Sequence, residues 1–340
     1  HMNGFDRSLY ANGKPAGDYV YAYLERKQVT PYWTMAREYA LADQMFPTMF
    51  GPSFTAHVDL IASTTNLSSG EAEVDGPTGQ PWGCDAPNGT QTYLLNAQRT
   101  ESGGGPFPCF TQYDTIADTL DGAGITWKYY VPNVNYALGR LWSPFAAIKD
   151  VRYGGDWKRN VISPQTTVLT DAAGGKLPQV SWVIPDGADS DHAGTQSDKG
   201  PSWVASVVNA VGKSPDWKTT AIFVLWDDWG GWYDNVPPPQ LDFVGLGIRV
   251  PCIIISPYAK SGYVSHTRYE FGSVLKFIEE TFELPSLGPA DRGYTDTRAH
   301  SLADSFDFKQ KPRAFQPIPA PYPRAYFLAR PSTGIPPDTE

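Results

Sequence analysis

The sequence is short of charge, of basic clusters and of cysteine. Only 19% of its 340 residues are charged, and 27 basic residues against 36 acidic ones leave a formal net charge of −9. A field of that sign repels nucleic-acid phosphates, and no Lys/Arg cluster interleaved with aromatics offsets it, so nucleic acid is excluded as an expected partner. No apolar run approaches the roughly 18 residues of a membrane-spanning helix, so no transmembrane segment is expected. The opening His1-Met2-Asn3-Gly4-Phe5-Asp6 has no signal-peptide pattern, and no Cys/His cluster has zinc-finger spacing.

The three cysteines divide unevenly. Cys84 and Cys109 flank a Gly/Ser/Asn-rich stretch, Asp85 to Pro108, where a bridge would staple a floppy excursion; three free thiols are the alternative. Cys252 lies in the apolar run Val250-Pro251-Cys252-Ile253-Ile254-Ile255, which reads as a buried strand. Aromatic residues (14%), Gly (32) and Pro (31) are plentiful, a balance that suits a loop-rich extracytoplasmic protein.

Helix-like spacing of Trp33, Met35, Ala36, Tyr39, Ala40 and Ala42 predicts a helix from Tyr32 to Phe46, running to the Gly51-Pro52 turn. Val58 to Thr64 reads as helical or buried, and Ser63 to Phe110 as a long aperiodic loop forming a rim or lid. Helices are expected over Tyr113–Ala123, Ser202–Val211 and Gly272–Phe282. Strands are expected over Ile125–Val131, Gln179–Pro185, Thr220–Trp226 and Val250–Ser256. Nearly all-apolar strands alternating with helices predict an α/β fold with a central, mainly parallel β-sheet flanked by helices on both faces. No linker divides it, which predicts one domain over 1–313 and a Pro-rich tail over 314–340 wrapping the surface in extended form.

Ligands of open α/β sheets collect beyond the carboxyl ends of the strands. Asp227-Asp228-Trp229-Gly230-Gly231-Trp232-Tyr233-Asp234 follows one strand there, and Asp186-Gly187-Ala188-Asp189-Ser190-Asp191-His192 follows another. Adjacent carboxylates at a buried strand end must be desolvated together, and a hard divalent cation removes that cost. An ordinary solvated acidic turn is the alternative, weakened by the four large rings around Asp227-Asp228. Ser53, after Gly51-Pro52, is either a hydroxyl held still at a helix start or a plain capping serine. His192 is either an acid/base near neutral pH or an exposed loop histidine.

These segments together resemble the bacterial phospholipase C / acid phosphatase family. Gly51-Pro52-Ser53-Phe54-Thr55-Ala56-His57 is similar to its Gly-Pro-Ser-Phe-Pro-Asn-His segment. Ser181-Trp182-Val183-Ile184-Pro185 with Ser190-Asp191-His192, and Trp226-Asp227-Asp228-Trp229-Gly230-Gly231-Trp232-Tyr233-Asp234, resemble two further family segments. Arg249-Val250-Pro251, Ser256-Pro257-Tyr258, Val264-Ser265-His266 and Tyr269-Glu270-Phe271 continue the match in order. The resemblance implies an alkaline-phosphatase-like sandwich and phosphoester hydrolysis through a phosphoserine at Ser53, with His192 as acid/base. Asp227, Asp228 and Ser53 would hold a divalent metal ion, for which zinc, calcium, magnesium and manganese are all compatible. His57, Asp191 and His266 carry over as substrate-binding residues. The substrate would be a phosphate monoester or a phospholipid headgroup ester, and the location secreted or periplasmic.

Two departures qualify it. Thr55-Ala56 stands where the family has Pro-Asn, and the family's N-terminal Glu-Asn metal motif has no counterpart between His1 and Glu340. The first strand and part of the metal shell are therefore expected on a separate or missing piece. The alternative is a catalytically impaired member acting as a binding protein. A sulfatase-like reading is disfavoured, because no Cys/Ser-x-Pro-x-Arg motif is present.

Overall fold

The computed structural model describes residues 2–9, 13–134, 142–194 and 197–331. The predicted Tyr32–Phe46 helix is two elements: helix α1 (Thr30–Glu38) and strand β1 (Ala40–Phe46). Tyr39, at φ −125° and ψ −142°, breaks the helix between them. The helical spacing across that break arises because β1 alternates, burying Ala40, Ala42 and Met45.

Helix α2 (Ser53–Ala62) follows the Gly51-Pro52 turn. The expected loop from Ser63 to Phe110 contains a four-stranded antiparallel sheet: β2 (Asn66–Ser68), β3 (Glu71–Asp75), β4 (Tyr93–Asn96) and β5 (Glu101–Ser102). Its strands are too short for their periodicity to stand out, and little of it is core; Ala72 packs with Met49 and Val244. The Cys84–Cys109 disulfide closes the excursion, and Cys252 is free and buried.

Next come α3 (Ile116–Gly122), β6 (Trp127–Tyr130), α4 (Lys149–Tyr153), α5 (Asp156–Arg159), β7 (Val161–Ile162), α6 (Thr167–Ala173), β8 (Val180–Val183) and α7 (Lys199–Gly212). Strands β9 (Ile222–Leu225), β10 (Val250–Ile255), β11 (Tyr263–Ser265) and β12 (Tyr269–Glu270) lead to α8 (Gly272–Phe282), α9 (Thr295–Arg298) and α10 (Arg324–Ala329). In the C-terminal segment, Ile318 is buried, and the Asn209 side chain holds its backbone N–H and C=O at 2.8 and 2.9 Å.

The fold is mixed α/β, and the expectation of a mainly parallel central sheet is not met. The largest sheet runs β11-β1-β10-β9, with β12 also on β1. Its β1–β10 and β10–β9 pairs are antiparallel, whereas β11 and β12 join β1 in parallel. A parallel neighbour needs a crossover, usually helical. The stretch between β9 and β10 contains no helix, and it returns the chain antiparallel. A separate sheet, β7-β6-β8, is wholly parallel. Strand β10 is buried on both faces: Cys252 and Ile254 pack with β1 and α8, Ile253 and Ile255 with α1 and α7.

Candidate functional site

Three segments converge at the carboxyl ends of β8 and β9. Gly51 turns the chain into α2 where no side chain fits: a Cβ there would lie 2.2 Å from Thr55 Oγ1 and 2.6 Å from the Val74 carbonyl oxygen. Ser53 thereby becomes the first residue of α2, 3% exposed, beside the helix's unpaired N–H groups and positive dipole end. Its Oγ donates to Asp228 Oδ2 at 3.3 Å. The other oxygen of Asp228 accepts from the Gly230 N–H at 2.7 Å, in a turn that Gly230 makes at φ +61°. Burial, then the adjacent charge of Asp227, pushes the Asp228 carboxyl well above the usual range; the Gly230 N–H, His192 and Ser53 pull it back only in part.

His57 lies one helical turn beyond Ser53. Its Nδ1 donates to the Ser53 carbonyl oxygen at 2.7 Å and stands 3.6 Å from Asp227 Oδ2. Trp142 stacks between the two histidines, 6.4 Å from the His57 ring and 6.0 Å from the His192 ring. Tyr129 of β6 anchors the Trp142 backbone by donating its hydroxyl to the Trp142 carbonyl at 3.0 Å. His192 Nδ1 lies 3.0 Å from the Ala193 carbonyl, so Nδ1 carries a proton and donates it to that oxygen.

The structure thus gathers Ser53, His57, His192, Asp227 and Asp228. Asp191 stands beside them at φ +61°, accepting from the Tyr32 hydroxyl at 2.6 Å. Burial pushes Asp191 up to about 6 against that hydrogen bond. Its carboxylate occupies space that only Gly200 leaves open, since a Cβ there would lie 1.9 Å away. His266 is not gathered: it is exposed and pairs with Asp43 at 2.7 Å. Tyr32 and Trp142 were not anticipated. Tyr32 only opened the predicted helix; it ties the loop after β8 to the one after β9, bonding Asp191 and packing 5.0 Å from Trp226. Nothing in the sequence marks Trp142.

A cation fits the donor set only in part. Two carboxylates and a hydroxyl are hard oxygen donors, and among the described residues no Lys or Arg pairs with the carboxylates, only the two imidazoles standing near them. No group of three or more His, Cys, Asp or Glu side chains among the described residues is arranged to hold a metal. Chemically, the arrangement presents a hydroxyl at a helix amino end, a carboxylate to accept its proton and an imidazole to supply another.

The sequence model of the Phosphoesterase family matches residues 1–285. Phospholipase C B of Mycobacterium tuberculosis is 27% identical over 234 residues, covering 59% of this chain and 44% of that protein. The non-hemolytic phospholipase C of Pseudomonas aeruginosa is 26% identical over 251 residues, covering 60% of this chain and 34% of its own length. Non-specific phospholipase C1 of Arabidopsis thaliana is 26% identical over 250 residues, covering 64% and 44%. The chain spans less than half the length of each of these relatives. Among solved structures, a protein of the alkaline phosphatase superfamily from Vibrio parahaemolyticus superposes with a TM-score of 0.43 at 14% identity, over 83% of this chain and 66% of that one.

Proposed function

Because the chain belongs to the Phosphoesterase family, we propose that it hydrolyses phosphate esters by attack of the Ser53 hydroxyl on phosphorus. The observation that carries this reading is the Ser53 Oγ, buried at the head of α2 and bonded to Asp228. Asp227, Asp228 and Ser53 would hold a divalent cation, which when bound supplies positive charge to the phosphate oxygens and lowers the pKa of the hydroxyl. The N–H groups at the amino end of α2 face the same phosphate and favour its charge. His192 protonates the departing alkoxide from Nε2, leaving a phosphoserine that water cleaves in a second step. His57, tied to the Ser53 carbonyl, orients the first turn of α2 and sets a donor against Asp227.

The rim favours phospholipid headgroup esters over soluble monoesters. Phe50, Tyr19, Tyr21, Tyr23 and Tyr233 are exposed around the mouth, and Trp229 and Trp232 pack among them. Aromatic collars of this kind suit an apolar interface meeting water. The relatives named as phospholipases C support the same substrate class. No helix among the described residues is long and apolar enough to cross a membrane. The Cys84–Cys109 bridge supports a secreted or periplasmic location.

The test is turnover of phosphatidylcholine vesicles and of p-nitrophenyl phosphate with each divalent ion added in turn. Ser53→Ala is expected to lower the rate by at least about 1,000-fold with an unchanged melting transition. A variant that keeps more than about a tenth of the parent rate removes Ser53 from this role. Binding of vesicles by the parent without any turnover supports a binding protein instead.

A further inference from the structure

Of the fourteen large hydrophobic side chains exposed among the described residues, five lie between Tyr19 and Trp33: Tyr19, Tyr21, Tyr23, Leu24 and Trp33. Exposing so much apolar surface in one short segment is unfavourable, and contiguous patches of this kind mark interaction surfaces. The segment is held in place. Val20 is buried, and its carbonyl accepts from the Tyr233 N–H at 2.9 Å. On either side of it, Tyr19 packs 5.0 Å from Trp232 and Tyr21 packs 5.1 Å from Tyr233, so the loop after β9 fixes both rings. Beyond that anchor Tyr23 stands 84% exposed, with Leu24 exposed beside it. Tyr19, Tyr23, Leu24 and Trp33 line the same cleft as His57, His192, Asp227 and Asp228. The patch is the outward continuation of the site's own wall.

Charge also sets this segment apart. Residues 13–37 carry four Lys or Arg against two Asp or Glu, in a chain whose formal net charge is −9. Arg26 lies over the exposed Trp33 ring at 5.3 Å, and Lys27 takes up Glu25 at 2.7 Å.

We propose that the Tyr19–Trp33 segment is an interfacial docking surface for a phospholipid bilayer, with Tyr23 and Leu24 entering the headgroup layer and Arg26 meeting lipid phosphate. The proposal rests on the phospholipid reading of the cleft, and adds how that cleft reaches a substrate that stays in its bilayer. Tyr and Trp rings favour the boundary where one end is apolar and the other wet. Basic side chains beside them are drawn to anionic headgroups. A protein seated on the same patch would cap the cleft mouth and shut substrate out, whereas a bilayer delivers it. The excess of positive charge is small, so the rings supply most of the affinity and anionic lipid adds to it.

Sedimentation of the Ser53→Ala chain with vesicles tests the surface, because binding is then read without turnover. The vesicles are phosphatidylcholine alone, or phosphatidylcholine with about one-third phosphatidylglycerol. Binding to both is expected, tighter to the second by about three- to tenfold. Leu24→Ser together with Trp33→Ser is expected to weaken binding to both by at least about tenfold. Arg26→Glu, on the surface, is expected to erase the preference for anionic vesicles and to leave binding to phosphatidylcholine within about twofold. Turnover of dispersed short-chain phosphatidylcholine by the unsubstituted chain, measured alongside, tests the phosphoesterase reading by itself. Whatever that turnover shows, three results overturn the docking surface: no binding to either vesicle, undiminished binding by the Leu24/Trp33 double variant, or an anionic preference that survives Arg26→Glu.

Discussion

Helix α2 carries two acidic stations, and they handle crowded carboxylates in opposite ways. At its amino end, Ser53 and His57 face Asp227 and Asp228 at the mouth of a cleft. One and a half turns further on, Asp59 is fully buried and neither of its oxygens meets a donor. Glu270 and Asp242 press on Asp59, and burial first, then their charges, raise its carboxyl well above the ordinary range. There Arg298 provides the counter-charge, donating to Glu270 at 3.1 and 2.8 Å and pairing with Asp242. Among the described residues no Lys or Arg pairs with Asp227 or Asp228. Charge balanced by a resident cation builds structure. At the amino end of α2 the carboxylates are held beside a hydroxyl with no Lys or Arg partner, and under the proposed function a bound divalent ion would balance them.

The largest effect expected from that contrast is at the open station. Asp228→Asn keeps an acceptor for the Gly230 N–H and removes one of two repelling charges. Turnover is expected to fall at least about 100-fold while the metal-free protein gains about 1 kcal/mol of stability. Divalent ions are expected to raise the melting temperature of the parent and not of the variant. A variant that loses stability without metal would place Asp228 among the structural groups and break the contrast. Next comes the sealed station. Arg298→Ala strands Glu270 and Asp242 and is expected to cost about 3–5 kcal/mol in denaturant unfolding, with kcat unchanged in the folded fraction. A cost below about 1 kcal/mol would mean that Arg298 balances nothing.

The open station was legible in sequence and the sealed one was not, for physical reasons. Ser53, His192 and Asp227-Asp228 sit in contiguous segments with distinctive turn chemistry, so a short window carries each signal. Strands β8, β9 and β10 and helix α8 are runs whose apolar content follows from burial, and their spans match expectation to within a few residues. Asp59, Glu270 and Arg298 come from three distant elements, and only folding makes them neighbours. The α1–β1 boundary was hidden because Ala40 and Ala42 fit both a helical and a strand period. The antiparallel course of β9 and β10 was hidden because strand direction is set by the connection between them, an irregular stretch with no periodic pattern. His266 looked like a site residue because its segment is similar to the family's, yet it turns to Asp43 on the surface.

The smallest expected effect concerns Glu73, which belongs to the sealed station because Asp59 acts on it. Glu73 lies on β3, completely buried beside Tyr113 and Thr92, and burial pushes its carboxyl up to about 8. The folded protein therefore keeps a proton there that the unfolded chain releases near the ordinary glutamate value of 4.5. Between those limits the native state binds more protons than the unfolded state, so this group's contribution is complete below about 4.5 and is lost as pH rises towards about 8. One such group tilts stability by at most about 1.4 kcal/mol per pH unit. Glu73→Gln copies the shape of the protonated acid and cannot ionise. It is expected to exceed the parent by no more than about 1 kcal/mol at pH 5, to exceed it by several-fold more at pH 8, and to flatten the slope between. Asp59 still contributes a residual slope of the same sign, because its carboxyl is raised for the same reason. Urea unfolding at pH 5, 6.5 and 8 measures all three points for both proteins. A variant that falls with pH as steeply as its parent would show that Glu73 ionises without penalty and would remove it from the sealed station.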